Sequence, residues 1–383
     1  MDDTKEDSID DIKKVVKKED FIFIEKIGSG SYGSVIKVEK DNKKYAMKVI
    51  RADTENKIRP EKVREFRGKN LVKILKEKSV KLKETKQETE KEKEREIEKN
   101  FYYYYVMELS FIGCLSDIHD YLNSNLIFKE AFVEKFGDNL TRFFVNQMVN
   151  AFRTFYQGNL IHYDIKPDNM LIFKGLEIKI IDFSFLKKLN PEETGKIPGG
   201  TFGYQAPECF YNHEYNYDYD ILQKQDYFAL GMTIFYLKYG NLPIRGFNTE
   251  NKSEYTICSI RSNITLEGIE RAKHAIKSEK YQDKDFTEFL YNLIQFNPKD
   301  RLNFEDIKRN KWLSKNTNEI RKIKNINLND EDSLIQELQK SDFIVNNAKY
   351  YRKKNFDERY KNDNDNIKYK QIRKGKFKFG KRK

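Results

Sequence analysis

Four segments of the sequence carry residue types whose spacing could serve phosphate chemistry. The first is glycine-rich, and Gly28, Gly30 and Gly33 in GSGSYGSV form a G-x-G-x-x-G-x-V pattern. Glycines let backbone N–H groups approach phosphate oxygens without obstruction by a Cβ atom. A plain turn gives the same letters, but a dinucleotide site is disfavoured because a strand, and not a helix, follows the loop. The second segment, YAMKVI, places Lys48 in an apolar strand, where it suits nucleotide phosphates better than an edge charge would.

The third and fourth segments hold the sharpest pattern. Asp164, Lys166 and Asn169 stand in IHYDIKPDNML at the spacing D-x-K-x-x-N, after an apolar helical stretch. Asp182 then ends the apolar strand of KIIDFS, eighteen residues after Asp164. A polar turn and a capping aspartate would explain either segment by itself. They explain poorly why both segments follow a glycine loop and a strand lysine.

Together the four segments resemble the eukaryotic protein kinase family, of the serine/threonine type, over residues 21–313. They occur in the family's order, and GTFGYQAPE and DYFALG match the family's GT-x-x-Y-x-APE and D-x-x-x-x-G patterns. Arg301 matches the arginine that the family pairs with the APE glutamate, Glu208 here. The resemblance implies an α+β, bilobal, protein-kinase-like fold with a small β-rich N-lobe containing one helix and a larger, mostly helical C-lobe. It also implies an ATP-dependent protein serine/threonine kinase whose partners are ATP and protein substrates.

The resemblance implies a role for each matching catalytic residue. Lys48 would bind the α and β phosphates of ATP, and Asn169 and Asp182 would hold Mg²⁺, with Mn²⁺ as an alternative metal. Asp164 would orient the substrate hydroxyl and accept its proton, while Lys166 would neutralise the transferring phosphoryl group. These roles suit the reaction because phosphoryl transfer depends mostly on positioning and electrostatics.

The nucleotide pocket follows from the same resemblance. Lys166 with Thr201 points to serine or threonine substrates, and Met107 resembles the gatekeeper before the adenine-binding hinge. Val35, Ala46 and Leu171 would sandwich the adenine ring, although each also fits a plain core position. The full set of implied nucleotide contacts is Ile27, Gly28, Gly30, Gly33, Val35, Ala46, Lys48, Glu61, Met107, Glu108, Ser110 and Leu171.

Two positions depart from the family pattern. Tyr163 stands in HYD where the family has the arginine of HRD, and tyrosine carries no charge to meet a phosphorylated activation loop. Ser184 stands in DFS where the family has the glycine of DFG, and serine lacks the backbone freedom of glycine. We therefore expect activity that does not depend on activation-loop phosphorylation.

The helix glutamate that the family pairs with Lys48 has no single match. Glu61 fits best within a short helix expected at 60–68, Glu65 fits second, and a gapless match would put Arg59 there. This ambiguity supports a second hypothesis, a pseudokinase acting as a nucleotide-binding scaffold or allosteric partner. The retained ionic residues favour an active enzyme, because charged side chains in a cleft are costly to stability unless they are used.

The elements that must position these residues follow from hydrophobic periodicity. Strands are predicted at 21–24, 34–39, 45–50, 71–75, 101–109, 170–173 and 178–181, and helices at 140–157, 223–240, 263–275 and 283–296. The predicted domains are a charged N-terminal segment at 1–20 with a loose helix, a kinase domain at 21–313 and an Asn/Lys-rich extension at 314–383. Within the kinase domain the N-lobe spans 21–108 and the C-lobe 113–313. Residues 76–99, with nine basic and eight acidic side chains, are predicted to be an exposed, mobile insertion in a hairpin.

Composition excludes several protein classes. Aromatic residues make up 14% of the 383 residues, which excludes a wholly disordered chain. No apolar run approaches the length of a membrane span, so none is expected. Three cysteines without a C-x-x-C pair argue against a disulfide scaffold or a Cys-rich zinc site and fit a reducing compartment. We expect an intracellular protein, cytoplasmic or also nuclear, and the sequence sets no oligomeric state.

The net charge of +12 is concentrated in a C-terminal basic tail. Residues 367–383 carry nine Lys and Arg residues and no acid, and removing them leaves +3 on the rest of the chain. Such a tail is a candidate for contact with a polyanion or a nuclear import receptor. A nucleic-acid-binding protein is a third reading, which rests on this tail alone. A solvated terminus with codon-biased composition is the simpler account.

Overall fold

A computed structural model describes the parts of the chain that hold most of the predicted site. The described residues are 8–30, 33–51, 67–82, 101–110, 113–117, 126–173, 177–188, 199–210, 219–244, 254–278 and 283–315. The short helix expected at 60–68, most of the charged insertion and the basic tail therefore lie largely or wholly outside the described residues.

The small lobe contains a five-stranded antiparallel sheet. Its strands are β1 (Ile22–Gly30), β2 (Gly33–Lys40), β3 (Lys43–Arg51), β4 (Ile74–Lys81) and β5 (Phe101–Glu108), in the order β1-β2-β3-β5-β4. Asp41 and Asn42 connect β2 to β3 with φ angles of 51° and 57°. Positive φ at both central residues is typical of the tight hairpin turn that matches the twist of two strands.

The fourth strand corrects one prediction from sequence. The predicted strand at 71–75 is wrong in its bounds, because β4 begins at Ile74 and continues to Lys81, into the segment assigned to an exposed insertion. Val80 is buried opposite Tyr102, while most of the charged side chains of the strand remain partly or fully exposed. β4 is an edge strand of the sheet, and edge strands commonly carry lysines that discourage further pairing.

Helix α1 (Ile9–Lys18) covers the outer face of this sheet. Ile12, Val15 and Val16 are buried along one side of the helix and share a cluster of apolar side chains with the strands. The strand residues of this cluster are Ile36, Val38, Met47, Val49, Val80, Tyr102, Tyr104 and Val106. The loose helix predicted for this segment is therefore a packed layer of the small lobe.

Glu19 fixes the end of α1 to the sheet. Its side chain is 5% exposed, and its carboxylate accepts hydrogen bonds from the Tyr104 hydroxyl at 2.5 Å, Lys78 Nζ at 2.8 Å and Lys76 Nζ at 3.0 Å. Burial by itself raises the pKa of Glu19, but the hydrogen bonds and charge of these partners lower it to about 2. Glu19 is therefore ionised throughout the neutral pH range.

The large lobe is mostly helical. Its helices are α2 (Leu126–Gly158), α3 (Tyr219–Tyr239), α4 (Glu254–Ser278), α5 (Lys284–Leu293), α6 (Phe304–Lys308) and α7 (Lys311–Ser314). Its short strands are β6 (Gly113–Cys114), β7 (Leu160–Ile161), β8 (Met170–Phe173), β9 (Glu177–Ile180) and β10 (Lys187–Lys188). The predicted helices and strands are found here, although α2 begins fourteen residues before its predicted start. No helix among the described residues has the length and apolar character needed to cross a membrane.

Two sets of contacts connect the parts that position the site. Val72 N–H donates to the Ile180 carbonyl at 3.0 Å and Ile180 N–H donates to the Asn70 carbonyl at 2.9 Å, which joins the segment before β4 to the large lobe. Arg301 forms the predicted pair with Glu208, with nitrogen–oxygen distances of 2.6 and 2.7 Å. Both side chains are buried, and Arg301 also donates to three backbone carbonyls, so its charge is satisfied.

Substitution of Glu19 tests whether residues 8–20 stabilise the small lobe. We expect Glu19→Gln to lower the free energy of unfolding at neutral pH by about 1–3 kcal/mol, because three donors lose a charged acceptor. The pKa of Glu19 is depressed, so its contribution is complete above the ordinary value of 4.5 and is lost as pH falls toward 2. Urea denaturation of both proteins at several pH values should show the gap between them closing over that range.

The matched control is Lys14→Ala, which removes an exposed partner of Asp11 on the same helix. Exposed pairs contribute little, so this change should leave the unfolding midpoint nearly unchanged. A pH-independent gap for Glu19→Gln, or an equal loss in the control, would contradict the assigned role of Glu19.

Candidate active site

The loop that carries Asp164 is held by a buried carboxylate from α3. Asp226 accepts hydrogen bonds from the backbone N–H groups of His162 at 2.7 Å and Tyr163 at 2.9 Å. Burial raises the pKa of Asp226 to about 7, while these two N–H donors act in the opposite direction. Tyr163 has a φ of 64°, a left-handed conformation that is uncommon for a residue with a large side chain. The two N–H bonds to Asp226 stabilise this turn, and Asp164 follows it directly.

Three predicted catalytic residues meet around the carboxylate of a fourth, Asp164. Asn169 Nδ2 donates to Oδ2 at 2.8 Å, and Lys166 Nζ lies 3.0 Å from the same oxygen. The backbone N–H and hydroxyl of Thr201 donate to Oδ1 at 2.9 and 2.7 Å. Lys166 Nζ also donates to the Thr201 hydroxyl at 2.6 Å. The structure thus brings together a carboxylate, an ammonium group and a bridging hydroxyl.

Lys48 and Asp182 form an ion pair between the two lobes. Lys48 lies on β3, and its Nζ contacts Asp182 Oδ1 just beyond β9. Burial by itself lowers the pKa of Lys48, but the neighbouring Tyr105 and Asp182 raise it above its ordinary value. Burial raises the pKa of Asp182, yet the charge and hydrogen bond of Lys48 lower it to about 2. Both groups are therefore charged at neutral pH.

The oxygen ligands expected for a metal lie at one end of the β8–β9 hairpin. Ile181 N–H donates to the Asn169 carbonyl at 2.9 Å, so Asn169 and Asp182 lie on adjacent segments. Asn169 uses Nδ2 for Asp164, which leaves its amide oxygen as a ligand. No group of three or more His, Cys, Asp or Glu side chains that could hold a metal ion occurs within the described ranges. A site of one carboxylate and one amide oxygen fits Mg²⁺, which commonly completes its ligands with water and nucleotide phosphates.

Four of the predicted nucleotide contacts of the small lobe share one apolar cluster. Ala46 is opposite Met107 in the β3–β5 register and both are buried, while Ile27 and Val35 pack against the same core. Leu171 lies on β8 and is half-buried. Gly28 and Gly30 pair with Val35 and Gly33 in the hairpin of β1 and β2. A Cβ atom on Gly33, whose φ is 131°, would lie 2.2 Å from the Val49 carbonyl oxygen, so the hairpin requires glycine there.

The side chains of two predicted hinge contacts have other partners. Glu108 accepts hydrogen bonds from Lys73 N–H at 2.9 Å and from Lys179 Nζ at 2.7 Å. The Ser110 hydroxyl donates to the Ile172 carbonyl at 2.6 Å. Any nucleotide contact from these two residues must therefore use backbone groups. Glu61, the predicted helix partner of Lys48, lies outside the described residues, as do Arg59 and Glu65.

The family model for the protein kinase domain matches residues 21–313, which include every predicted site residue. The chain belongs to the protein kinase family. Helix α1, at Ile9–Lys18, precedes the matched region.

Individual relatives agree with the serine/threonine type. The chain is 31% identical to cGMP-dependent protein kinase isozyme 2 of Drosophila melanogaster over 182 residues, which are 46% of this chain and 18% of that protein. It is 31% identical to the Aurora kinase of Saccharomyces cerevisiae over 181 residues, 47% of this chain and 44% of that protein. Serine/threonine-protein kinase Sgk1 of Danio rerio is 26% identical over 310 residues, 77% of this chain and 63% of that protein. The chain thus spans less than two thirds of the length of these relatives.

Sequence reasoning missed two polar partners of Lys48. Tyr105 lies opposite Lys48 in the β3–β5 register, and burial raises the pKa of its hydroxyl to about 12. The Ser184 hydroxyl accepts a hydrogen bond from Lys48 Nζ at 3.0 Å and donates to Asp182 Oδ1. Strand alternation could have placed Tyr105 on the face of Lys48. The serine was recognised in the sequence only as the loss of a glycine.

Tyr163 stands where the family has an arginine, and its side chain makes apolar contacts. It is 9% exposed and clusters with Ile161, Phe185 and Leu222. Burial raises the pKa of its hydroxyl, so the side chain is neutral at physiological pH. A Cβ atom on Gly200 would lie 2.5 Å from the Tyr163 carbonyl oxygen. Gly200 therefore packs closely against the loop that contains Tyr163.

Thr201 offers a test of the contacts around Asp164. We expect Thr201→Val to lower kcat by about 10–100-fold with little change in KM for ATP, because the hydroxyl that links Lys166 to Asp164 is lost from a proton-transfer site. Thr201→Ser keeps the hydroxyl and should retain most of the activity. Steady-state kinetics on a serine-containing peptide measure both variants, and equal rates for valine and serine would contradict the role of the hydroxyl.

The uncharged side chain of Tyr163 leads to a second prediction for this site. Thr194 is the only hydroxyl residue between Leu186 and Gly200 in the sequence, and it lies outside the described residues. We expect Thr194→Ala to change kcat by less than about twofold, because Tyr163 offers no cation for a phosphate on this loop. Kinetics before and after phosphatase treatment of the wild-type protein provide the control. A large loss in either experiment would show that another cation replaces the missing arginine.

Proposed function

We propose that the chain is an ATP-dependent protein serine/threonine kinase that transfers the γ-phosphoryl group of ATP to serine or threonine hydroxyls of proteins. The observation that carries the proposal is the convergence of Asn169, Lys166 and Thr201 on the Asp164 carboxylate. A charged Lys48–Asp182 pair lies beside it, since Ile181, the residue before Asp182, donates to the Asn169 carbonyl. These groups supply the proton acceptor, cations and oxygen ligands that phosphoryl transfer needs.

Asp164 is the proposed proton acceptor. Its two carboxylate oxygens are fixed by donors on both sides, so a substrate hydroxyl would meet a group whose orientation is already set. Lys166 contacts both Asp164 and Thr201. These contacts hold its ammonium group beside Asp164, where the substrate hydroxyl would react. There it would neutralise charge on the transferring phosphoryl group.

Lys48, Asn169 and Asp182 are proposed to bind the metal and the phosphates. Asp182 and the Asn169 amide oxygen would hold Mg²⁺, or Mn²⁺, and the buried Lys48 ammonium would bind the α and β phosphates. Bound Mg²⁺ would supply charge neutralisation on the phosphate oxygens. The pKa of Asp182 is low, so the carboxylate needs no deprotonation before metal binding.

The adenine ring is proposed to lie between the small-lobe sheet and β8. Ile27, Val35 and Ala46 would contact one face of the ring and Leu171 the other, with Met107 at the back of the pocket. Glu108 and Ser110 would contribute backbone groups, since their side chains support the hinge. The hairpin with Gly28, Gly30 and Gly33 would cover the phosphates.

A pseudokinase remains the second candidate function. Tyr163 and Ser184 favour it, because both replace residues that the family uses in its active state. The charged pair of Lys48 and Asp182 speaks against it, since the Lys48 charge is buried and pairing a buried charge contributes little net stability for its desolvation cost. A scaffold that binds no nucleotide would gain nothing from keeping such a pair.

Cellular location and further partners are also proposals. A kinase of this type would act on intracellular proteins, in the cytoplasm or also in the nucleus. The basic tail at 367–383 would bind a polyanion or an import receptor through its nine cations. These residues lie outside the described part of the chain.

Phosphotransfer measurements separate the two functions. Wild-type protein with labelled ATP, Mg²⁺ and a mixed protein substrate should label serine and threonine residues. We expect Asp164→Asn and Lys48→Met each to lower kcat/KM by about 10²–10⁴-fold, because each removes a group that acts on the reacting atoms or phosphates. Thermal unfolding checks that both variants remain folded. Wild-type activity equal to that of folded Asp164→Asn would establish the scaffold in place of the enzyme.

A further inference from the structure

The Ser184 hydroxyl completes a closed set of three polar contacts in the cleft. Ser184 donates to Asp182 Oδ1 and accepts from Lys48 Nζ at 3.0 Å, while Lys48 Nζ also contacts Asp182 Oδ1. We call these three residues the cleft triangle. The glycine that the family has at position 184 has no side chain to form it.

The backbone brings this hydroxyl to the carboxylate. Asp182 has φ 62° and ψ 72°, a left-handed conformation, and Phe183–Phe185 form a single 3₁₀ turn directly after it. Phe183 is buried and its ring lies edge-on to His162, with centroids 5.7 Å apart. The turn is therefore anchored by an aromatic side chain, and Ser184 points back to the residue two positions before it.

The two carboxylate oxygens of Asp182 differ in their contacts. Both Lys48 and Ser184 contact Oδ1, and neither contact uses Oδ2. A carboxylate fixed through one oxygen presents the other in a defined direction. Hydrogen bonds that orient a metal-binding carboxylate typically affect metal affinity by about 10–100-fold.

We propose that Ser184 is a positioning residue, whose hydroxyl orients Asp182 through Oδ1 so that Oδ2 can take the metal ion that accompanies the nucleotide. The proposal rests on the proposed nucleotide-binding function of the same cleft. Ser184 lacks the backbone freedom of the family's glycine, but its side chain supplies a contact that glycine cannot make. It also holds Lys48 in place, together with Tyr105 on the neighbouring strand.

The opposite role is a lock, in which the cleft triangle keeps Lys48 and Asp182 from reaching nucleotide and metal. The two roles differ in the sign of the effect when the hydroxyl is removed. Removing a positioning contact weakens binding of metal and nucleotide, whereas removing a lock strengthens it.

The test compares Ser184→Ala, Ser184→Gly and Ser184→Thr with the wild-type chain. Alanine removes only the hydroxyl, glycine is the family residue, and threonine keeps the hydroxyl. Isothermal titration calorimetry with the non-hydrolysable ATP analogue AMP-PNP would measure binding at limiting and at saturating Mg²⁺. Thermal unfolding reports whether each variant is folded.

We expect Ser184→Ala and Ser184→Gly to weaken AMP-PNP binding by about tenfold at limiting Mg²⁺ and much less at saturating Mg²⁺, because the defect lies in the metal ligand. Ser184→Thr should bind as the wild type does. Titration of Mn²⁺ followed by electron paramagnetic resonance, in the presence of AMP-PNP, should show the same order.

Several results would overturn the assignment. Equal affinities for all four proteins, or a loss that is the same at both Mg²⁺ concentrations, would show that the hydroxyl does not orient the metal ligand. Tighter binding in the alanine variant would show a lock. A wild-type chain that binds no AMP-PNP at either concentration would instead refute the proposed function itself.

Discussion

The ion pair between the buried Lys48 and the partly exposed Asp182 is the interaction on which the arrangement of the site depends. The two residues are 134 positions apart in the chain and belong to different lobes. Lys48 is buried, and without Asp182 its charge would be strongly destabilising, because an unpaired buried charge is costly. The register of β3 against β5 and the turn after β9 must therefore both form correctly before the pair can exist.

Further hydrogen bonds between the lobes support that alignment. The bonds of Val72 and Asn70 with Ile180 tie the segment before β4 to β9, two residues before Asp182. Asn70 Nδ2 also donates to the Ile178 carbonyl at 2.8 Å. Because these donors are buried backbone and amide groups, losing any one of them would leave an unsatisfied polar atom. The lobes are thus connected by more than the hinge.

The second half of the site depends on a buried carboxyl group in α3. Asp226 holds the turn that contains Tyr163, and this turn sets the direction of Asp164. Gly200 approaches the same turn so closely that a side chain would clash, which places Thr201 within reach of Asp164. Glu208 and Arg301 fix the residues that follow. Each contact joins segments that are far apart in sequence.

The sequence alone determined the family, the order of the motifs and most of the elements, because periodicity and motif spacing are local properties of the chain. It also predicted the pairing of Glu208 with Arg301, although only through the family resemblance. Element bounds were less well determined: the charges of β4 resembled a solvated insertion, and an edge strand tolerates the same charges. The apolar stripe of α1 is short, so the sequence could not show that a sheet face was available to bury it.

Only the tertiary structure decided which polar atoms meet. In the sequence, no local feature of Ser184, Tyr105 or Glu19 identifies the polar partner of its side chain. Their partners lie on other strands or in the other lobe, and long-range packing brings them together. Local pattern specifies what a segment can form, whereas the free energy of a buried charge or hydroxyl depends on neighbours that the fold alone supplies.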